Sequence, residues 1–132
     1  METNKENSWA KNIFATTLVV EDLESTKKFY QEVFELPIDF EDPNSAVFNF
    51  GNTLINLLKI TEAPELMNPA RVANPEDRAR AVFTIHVDDV DAMYEKLAKR
   101  GVKLLNGPID RPWGIRTASF YDPAGHIWEI AK

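Results

Sequence analysis

Residues 14–34 read FATTLVVEDLESTKKFYQEVF. Phe14 to Val20 is a β-branched, apolar run that suits a strand. Asp22 follows at an N-cap position, with Ser25 inside the first turn. Leu23, Thr26, Phe29, Tyr30, Val33 and Phe34 then recur at offsets 0, 3, 6, 7, 10 and 11, one face of an amphipathic helix that Pro37 stops. The same pattern returns 67 residues later, where Val87-Asp88-Asp89-Val90-Asp91 aligns with Val20-Glu21-Asp22-Leu23-Glu24. An internal repeat of this kind decides the fold. Each unit is too small to bury much core alone, so the two must share one or pair with a second chain.

Outward from the first helix, Ala46–Phe50 and Thr53–Ile60 are two apolar runs around the turn pair Gly51-Asn52. In the second unit, Ala81–Val87 is the strand, Asp88 or Asp89 the cap, and Val90, Met93, Tyr94, Leu97 and Ala98 the apolar helix face. Gly101 suits the helix end. Val102–Leu105, Ile115–Tyr121 and His126–Ala131 read as strands, the last two joined by Asp122-Pro123-Ala124-Gly125. Thr61 to Arg80 contains Pro64, Pro69 and Pro75 and little periodicity; it reads as a connection with one short helical turn at most. The division is a flexible N-terminus over 1–11, a first module over 12–60, a linker over 61–80 and a second module over 81–132.

Composition narrows the chemistry. The chain has 132 residues and no cysteine, which removes disulfides, thiolate metal sites and cysteine nucleophiles together. Lys and Arg total 15 against 21 Asp and Glu, a net charge of −6, with no basic cluster for nucleic acid. Two histidines exclude a three-histidine metal site within one chain. No apolar run approaches the ~20 residues of a membrane helix, and the polar N-terminus has no signal-peptide core, so the expected location is cytoplasmic. Neither Gly-x-Ser-x-Gly nor His-Glu-x-x-His occurs.

Three stretches carry a family resemblance: Thr17-Leu18-Val19-Val20-Glu21-Asp22-Leu23-Glu24-Ser25 running into Lys28-Phe29-Tyr30, Val87 to Ala92, and Tyr121-Asp122-Pro123-Ala124-Gly125-His126-Ile127-Trp128-Glu129. In these the sequence resembles the vicinal oxygen chelate superfamily of glyoxalase I, bleomycin- and fosfomycin-resistance proteins and extradiol dioxygenases. The resemblance implies an α+β fold of two βαβββ modules, whose curved mixed sheets surround a cavity often completed in a homodimer. Metal-dependent members hold a divalent ion there. Carried over residue by residue, their four ligand positions fall on Ala15, Asn56, Val82 and Glu129. Alanine and valine donate nothing to a metal, and Asn56 offers a neutral oxygen. The expectation is therefore no cofactor, with a divalent metal as the alternative.

Glu129 is the candidate catalytic or ligand-facing carboxylate, with pairing to Arg116 as its structural reading. Thr17, Thr84, Thr117 and Ser119 share strand parity with the ligand positions and offer hydroxyls to a polar ligand. Asn56 and His86 are further wall residues, and His126 reads as a surface turn residue. Arg111-Pro112-Trp113-Gly114-Ile115-Arg116 combines an aromatic plane with guanidinium groups, which puts Trp113 and Arg116 among the ligand-binding candidates. Phe48, Phe50, Tyr121 and Trp128 read as core. The leading function is a metal-free protein that binds a small molecule, cationic or aromatic, as a homodimer without nucleic-acid or membrane partners. A lyase, isomerase or dioxygenase-like enzyme working around Glu129 is the alternative, and an interaction or stress-response protein with a vestigial cavity the third.

Overall fold

Each half begins with a strand and a helix, and its first strand runs parallel to its last. In the computed structural model, which describes residues 9–10, 12–77 and 79–132, β1 (Ala15–Val20) leads into α1 (Leu23–Val33), then β2 (Phe40–Asp42), β3 (Ser45–Asn49) and β4 (Leu54–Lys59). A 3₁₀ turn and the short α2 (Ala63–Met67) follow. The second half is β5 (Val82–His86), α3 (Val90–Lys99), β6 (Leu104–Asp110), β7 (Arg116–Tyr121) and β8 (Ile127–Ala131). The two mixed sheets have the orders β1-β4-β3-β2 and β5-β8-β7-β6, so the repeat in sequence is a repeat in topology. The expected flexible N-terminus lies mostly outside the described residues.

Local chemistry sets the helix boundaries. The Asp22 carboxylate accepts from the Ser25 amide and that of Asp89 from the Ala92 amide, satisfying donors that the first helical turn leaves free. Gly101, at φ +76°, turns the chain after α3. After α1 the same left-handed role falls to Glu35, at φ 57°.

Strand alternation then sorts the side chains. Leu18, Val20, Ala46, Phe48, Ile55 and Leu57 of the first sheet join Ala118, Phe120, Trp128 and Ile130 of the second in one buried cluster with Leu23, Tyr30, Val90 and Leu97 of the helices. One core thus serves both modules. The joint is fastened by buried polar groups: the Tyr30 hydroxyl donates to Asp122 (2.9 Å) and accepts from the Trp128 indole (3.2 Å). Asp122 also accepts the amides of Ala124 and His126. Burial of Asp122 pushes its pKa above the ordinary carboxylate value, and burial does the same to Tyr30.

Three sequence expectations are corrected. β2 has no periodic signature; it is a three-residue edge strand recruited by pairing with β3. β6 does not end at Leu105 but passes Gly107-Pro108 through register irregularities to reach Asp110. His126 is no surface turn residue, because its Nε2 lies 3.0 Å from the Val19 carbonyl, tying the last hairpin to β1. No helix among the described residues is long and apolar enough to cross a membrane.

Candidate functional site

The strand residues that face away from the shared core carry the polar groups. On the second sheet, the register sets Thr84 beside Glu129 and Glu129 beside Ser119, across β5, β8 and β7. The Thr84 hydroxyl donates to Glu129 Oε1 (2.9 Å), and Ser119 donates to Asn106 Oδ1 (3.0 Å). Arg111 closes this row, donating from Nε to Thr117 Oγ1 (2.8 Å) and from Nη2 to Asn106 (3.3 Å). Thr117 and Ser119 are buried beneath it, whereas Thr84 and His86 remain exposed along β5.

The first sheet holds a matching pair. Thr17 stands beside Asn56 in the β1–β4 register, and the Asn56 amide donates to Thr17 Oγ1 (3.4 Å). Thr17 and Thr84 are 67 residues apart, so Asn56 and Glu129 are the partners of equivalent threonines. Asn56 Oδ1 is buried and has no hydrogen-bond partner among the described residues. A buried acceptor without a donor is costly, and a ligand N–H would satisfy it.

Of the sequence candidates, Thr17 meets Asn56, and Thr84, Glu129, Ser119 and Thr117 share one face. Arg116 does not join them. It alternates with Thr117 along β7, so it points to the helix side and pairs with Asp91 (2.8 Å) and Asp110 (3.0 Å), not with Glu129. Those carboxylates hold its pKa above the ordinary guanidinium value, and the Arg116 guanidinium in turn lowers that of Asp91. Trp113 sits at the β6–β7 turn and is 69% exposed. The guanidinium on the candidate face is therefore that of Arg111, which sequence reading placed in the same loop but did not choose. Arg111 follows the end of β6, opposite Ile115, and its side chain reaches back to Thr117, a reach legible only once the β6–β7 register is known. Among the described residues no three His, Asp or Glu side chains come close enough together to hold a metal ion.

The cavities divide differently. Thr17 opens onto a space of about 250 Å³ that it shares with His126, Val72, Asn74 and Asp77. Thr84 borders one of about 360 Å³ with Thr53, Val82 and Trp128. A more apolar cavity of about 400 Å³ lies between the modules, lined by Phe34, Phe50, Met93 and Leu97, and none of the sequence candidates reaches it.

Comparison with known proteins places these features. A family model described as Glyoxalase/Bleomycin resistance protein/Dioxygenase superfamily matches residues 12–130. YraH of Bacillus subtilis (strain 168) is 33% identical over 119 residues, covering 87% of this chain and 93% of YraH. The metallothiol transferase FosB of Lysinibacillus sphaericus (strain C3-41) is 28% identical over 111 residues, 84% of this chain and 74% of FosB. The crystal structure of a glyoxalase-related enzyme from Fulvimarina pelagi superimposes with a TM-score of 0.80 at 26% identity, covering 92% of this chain and 87% of that one.

Proposed function

Since the chain belongs to the glyoxalase/bleomycin resistance protein/dioxygenase superfamily, we propose that it binds a small, donor-rich molecule without a metal ion, at the polar sheet faces that carry Thr17 and Asn56 in the first module and Thr84 and Glu129 in the second. The observation that carries this reading is the pair of equivalent threonine partners. One is a carboxylate with a single side-chain hydrogen bond among those described, the other a carboxamide whose buried oxygen has none. Both are acceptors, so the ligand they favour carries N–H groups, and a cationic amine suits Glu129.

The donor set speaks against the family's ion. Ala15 and Val82 stand two residues before Thr17 and Thr84 on the same strand faces, and both end in hydrocarbon. One carboxylate and one neutral amide leave most of a divalent ion's coordination sphere to water. Titration calorimetry with Ni²⁺, Mn²⁺ and Zn²⁺ is expected to give dissociation constants weaker than about 0.1 mM. Micromolar binding abolished in Glu129→Ala would overturn the metal-free reading. A thermal-shift screen of bulky cationic aromatics without metal supplies the positive arm. A ligand at a hundred times its dissociation constant stabilises by about 2.7 kcal/mol, and Glu129→Gln should remove that shift.

The second reading is an enzyme, favoured by the likeness to a protein named a metallothiol transferase. It requires turnover that depends on an added divalent ion and on Glu129. A homodimer is part of the proposal. Both sheets end in open edges, and Phe40 on β2 and Val82 on β5 are 59% and 53% exposed. Light scattering should return about twice the chain mass of 15.0 kDa. A cytoplasmic setting, in keeping with a cysteine-free chain, completes it.

A further inference from the structure

The apolar cavity lies where one module is short of side chain. At the 67-residue offset, Tyr30 and Phe34 of the first module correspond to Leu97 and Gly101 of the second. Tyr30 is fully buried, and its ring packs against those of Phe29, Phe34, Phe48, Phe50 and Trp128. Its counterpart Leu97 borders the cavity of about 400 Å³ instead. Phe34, Phe50, Ile85 and Met93 belong to the same apolar cluster yet stay only partly buried, because they face this space. The space is open to solvent at its mouth, and its volume falls in the range of small-ligand sites.

The mouth defines what can enter. Glu35 holds a left-handed backbone at φ 57° there, a conformation that side chains adopt rarely, and Leu36 follows it onto the cavity wall. The Glu35 carboxylate is held by Lys96 Nζ at 2.6 Å, and Asn49 Oδ1 is occupied by the Gly51 amide at 2.7 Å. The rim thus leaves no carboxylate without a cation. The walls offer ring edges and faces from Phe34, Phe50 and Phe120.

We propose that this inter-module cavity is a binding site for a flat, uncharged aromatic molecule, separate from the polar face around Glu129. The ligand's ring takes, in the second module, the place that the Tyr30 ring takes in the first. The walls come from α1, α3 and strands of both sheets, a shape that admits a small molecule rather than a helix or strand of a partner.

The test uses N-phenylnaphthylamine, an uncharged aromatic whose fluorescence rises in apolar surroundings. The full chain should bind it saturably, one molecule per chain. Leu97→Phe and Met93→Phe each put a ring into the space, and each should weaken binding by about tenfold or more. Both variants should melt no lower than the wild type, since the added atoms enter a void. The two changes enter from successive turns of α3, so one remains informative where the other disturbs folding. Glu129→Gln, on the other face, should bind the probe as the wild type does. Absence of saturable binding, wild-type binding by a folded Leu97→Phe or Met93→Phe protein, or loss of binding in Glu129→Gln would each overturn the proposal.

Discussion

Tyr30→Phe is the sharpest probe of how the two modules hold together. The change deletes one oxygen, but that oxygen serves two buried partners, donating to Asp122 and accepting from the Trp128 indole. Tyr30, Trp128 and Asp122 are 0%, 2% and 4% exposed, so water does not replace the lost contacts. A hydrogen bond to a carboxylate contributes about 1.5–3 kcal/mol and an orphaned buried N–H costs about 1–3 kcal/mol, so a loss of about 3 kcal/mol is expected. With an unfolding entropy of about 2.1 cal/mol/K per residue, a 132-residue chain should then melt about 11 °C lower.

The pH dependence sharpens the test. The pKa of Asp122 is raised chiefly by burial, while the Tyr30 hydroxyl opposes the rise. A raised folded-state pKa means that the native state holds the proton more tightly than the unfolded chain does. Stability is therefore lost as pH climbs from the ordinary value of 3.8 through the higher folded value, and is constant above it. Removing Tyr30's donor raises the folded value further, so the Tyr30→Phe deficit should be larger at pH 7 than near pH 4. Asp122→Asn keeps an acceptor for the Ala124 and His126 amides and should abolish that difference. Urea unfolding at both pH values measures it. A pH-independent deficit below about 1 kcal/mol would refute the view that this buried network fastens the joint.

Gly107→Ala should destabilise by about 3 kcal/mol or more, because at φ +95° a Cβ there would lie 2.6 Å from the Thr117 carbonyl oxygen and 2.7 Å from Ala118 Cα; denaturant midpoints report it. His126→Ala, which removes the contact to the Val19 carbonyl, should lower stability by about 1 kcal/mol and speed amide exchange along β1. Arg116→Ala should leave the melting temperature within about 3 °C of the wild type, since its ion pairs are solvent-exposed, and should not alter ligand-induced thermal shifts. Arg111→Ala, by contrast, should reduce those shifts, because it uncovers Thr117 and Asn106 on the candidate face.

Elements set by local chemistry were legible in the sequence. The cap Asp22, a second cap at Asp88 or Asp89 that the structure gives to Asp89, and the apolar helix faces are encoded within a few residues, and the 67-residue repeat follows from them. What was not legible depends on partners far along the chain. Asp122 reads as a turn residue, and nothing near it announces Tyr30, 92 positions earlier. His126 meets Val19 across 107 positions. Arg116 is turned from the polar face by its alternation with Thr117 along β7, but the place of Arg111 has a related cause. The irregularities between Leu104 and Ile109 set the β6–β7 register, and a strand shifted by one residue presents its other face.

The repeat makes the differences between the halves as informative as the likeness. The first module places Tyr30 and Phe34 where the second has Leu97 and Gly101, and Asn56 where the second has Glu129. Bulk and charge are thus divided. The aromatic helix α1 fills the joint and, through Tyr30, fixes the turn that begins β8. Glu129 sits on β8, seven residues beyond the anchored Asp122, so the rigidity of the joint passes directly to the one carboxylate of the polar row. A site built on such a strand needs its neighbours locked to hold its geometry. Loosening the Tyr30–Asp122 contact should therefore weaken ligand binding at Glu129 as well as stability, although neither residue belongs to that face.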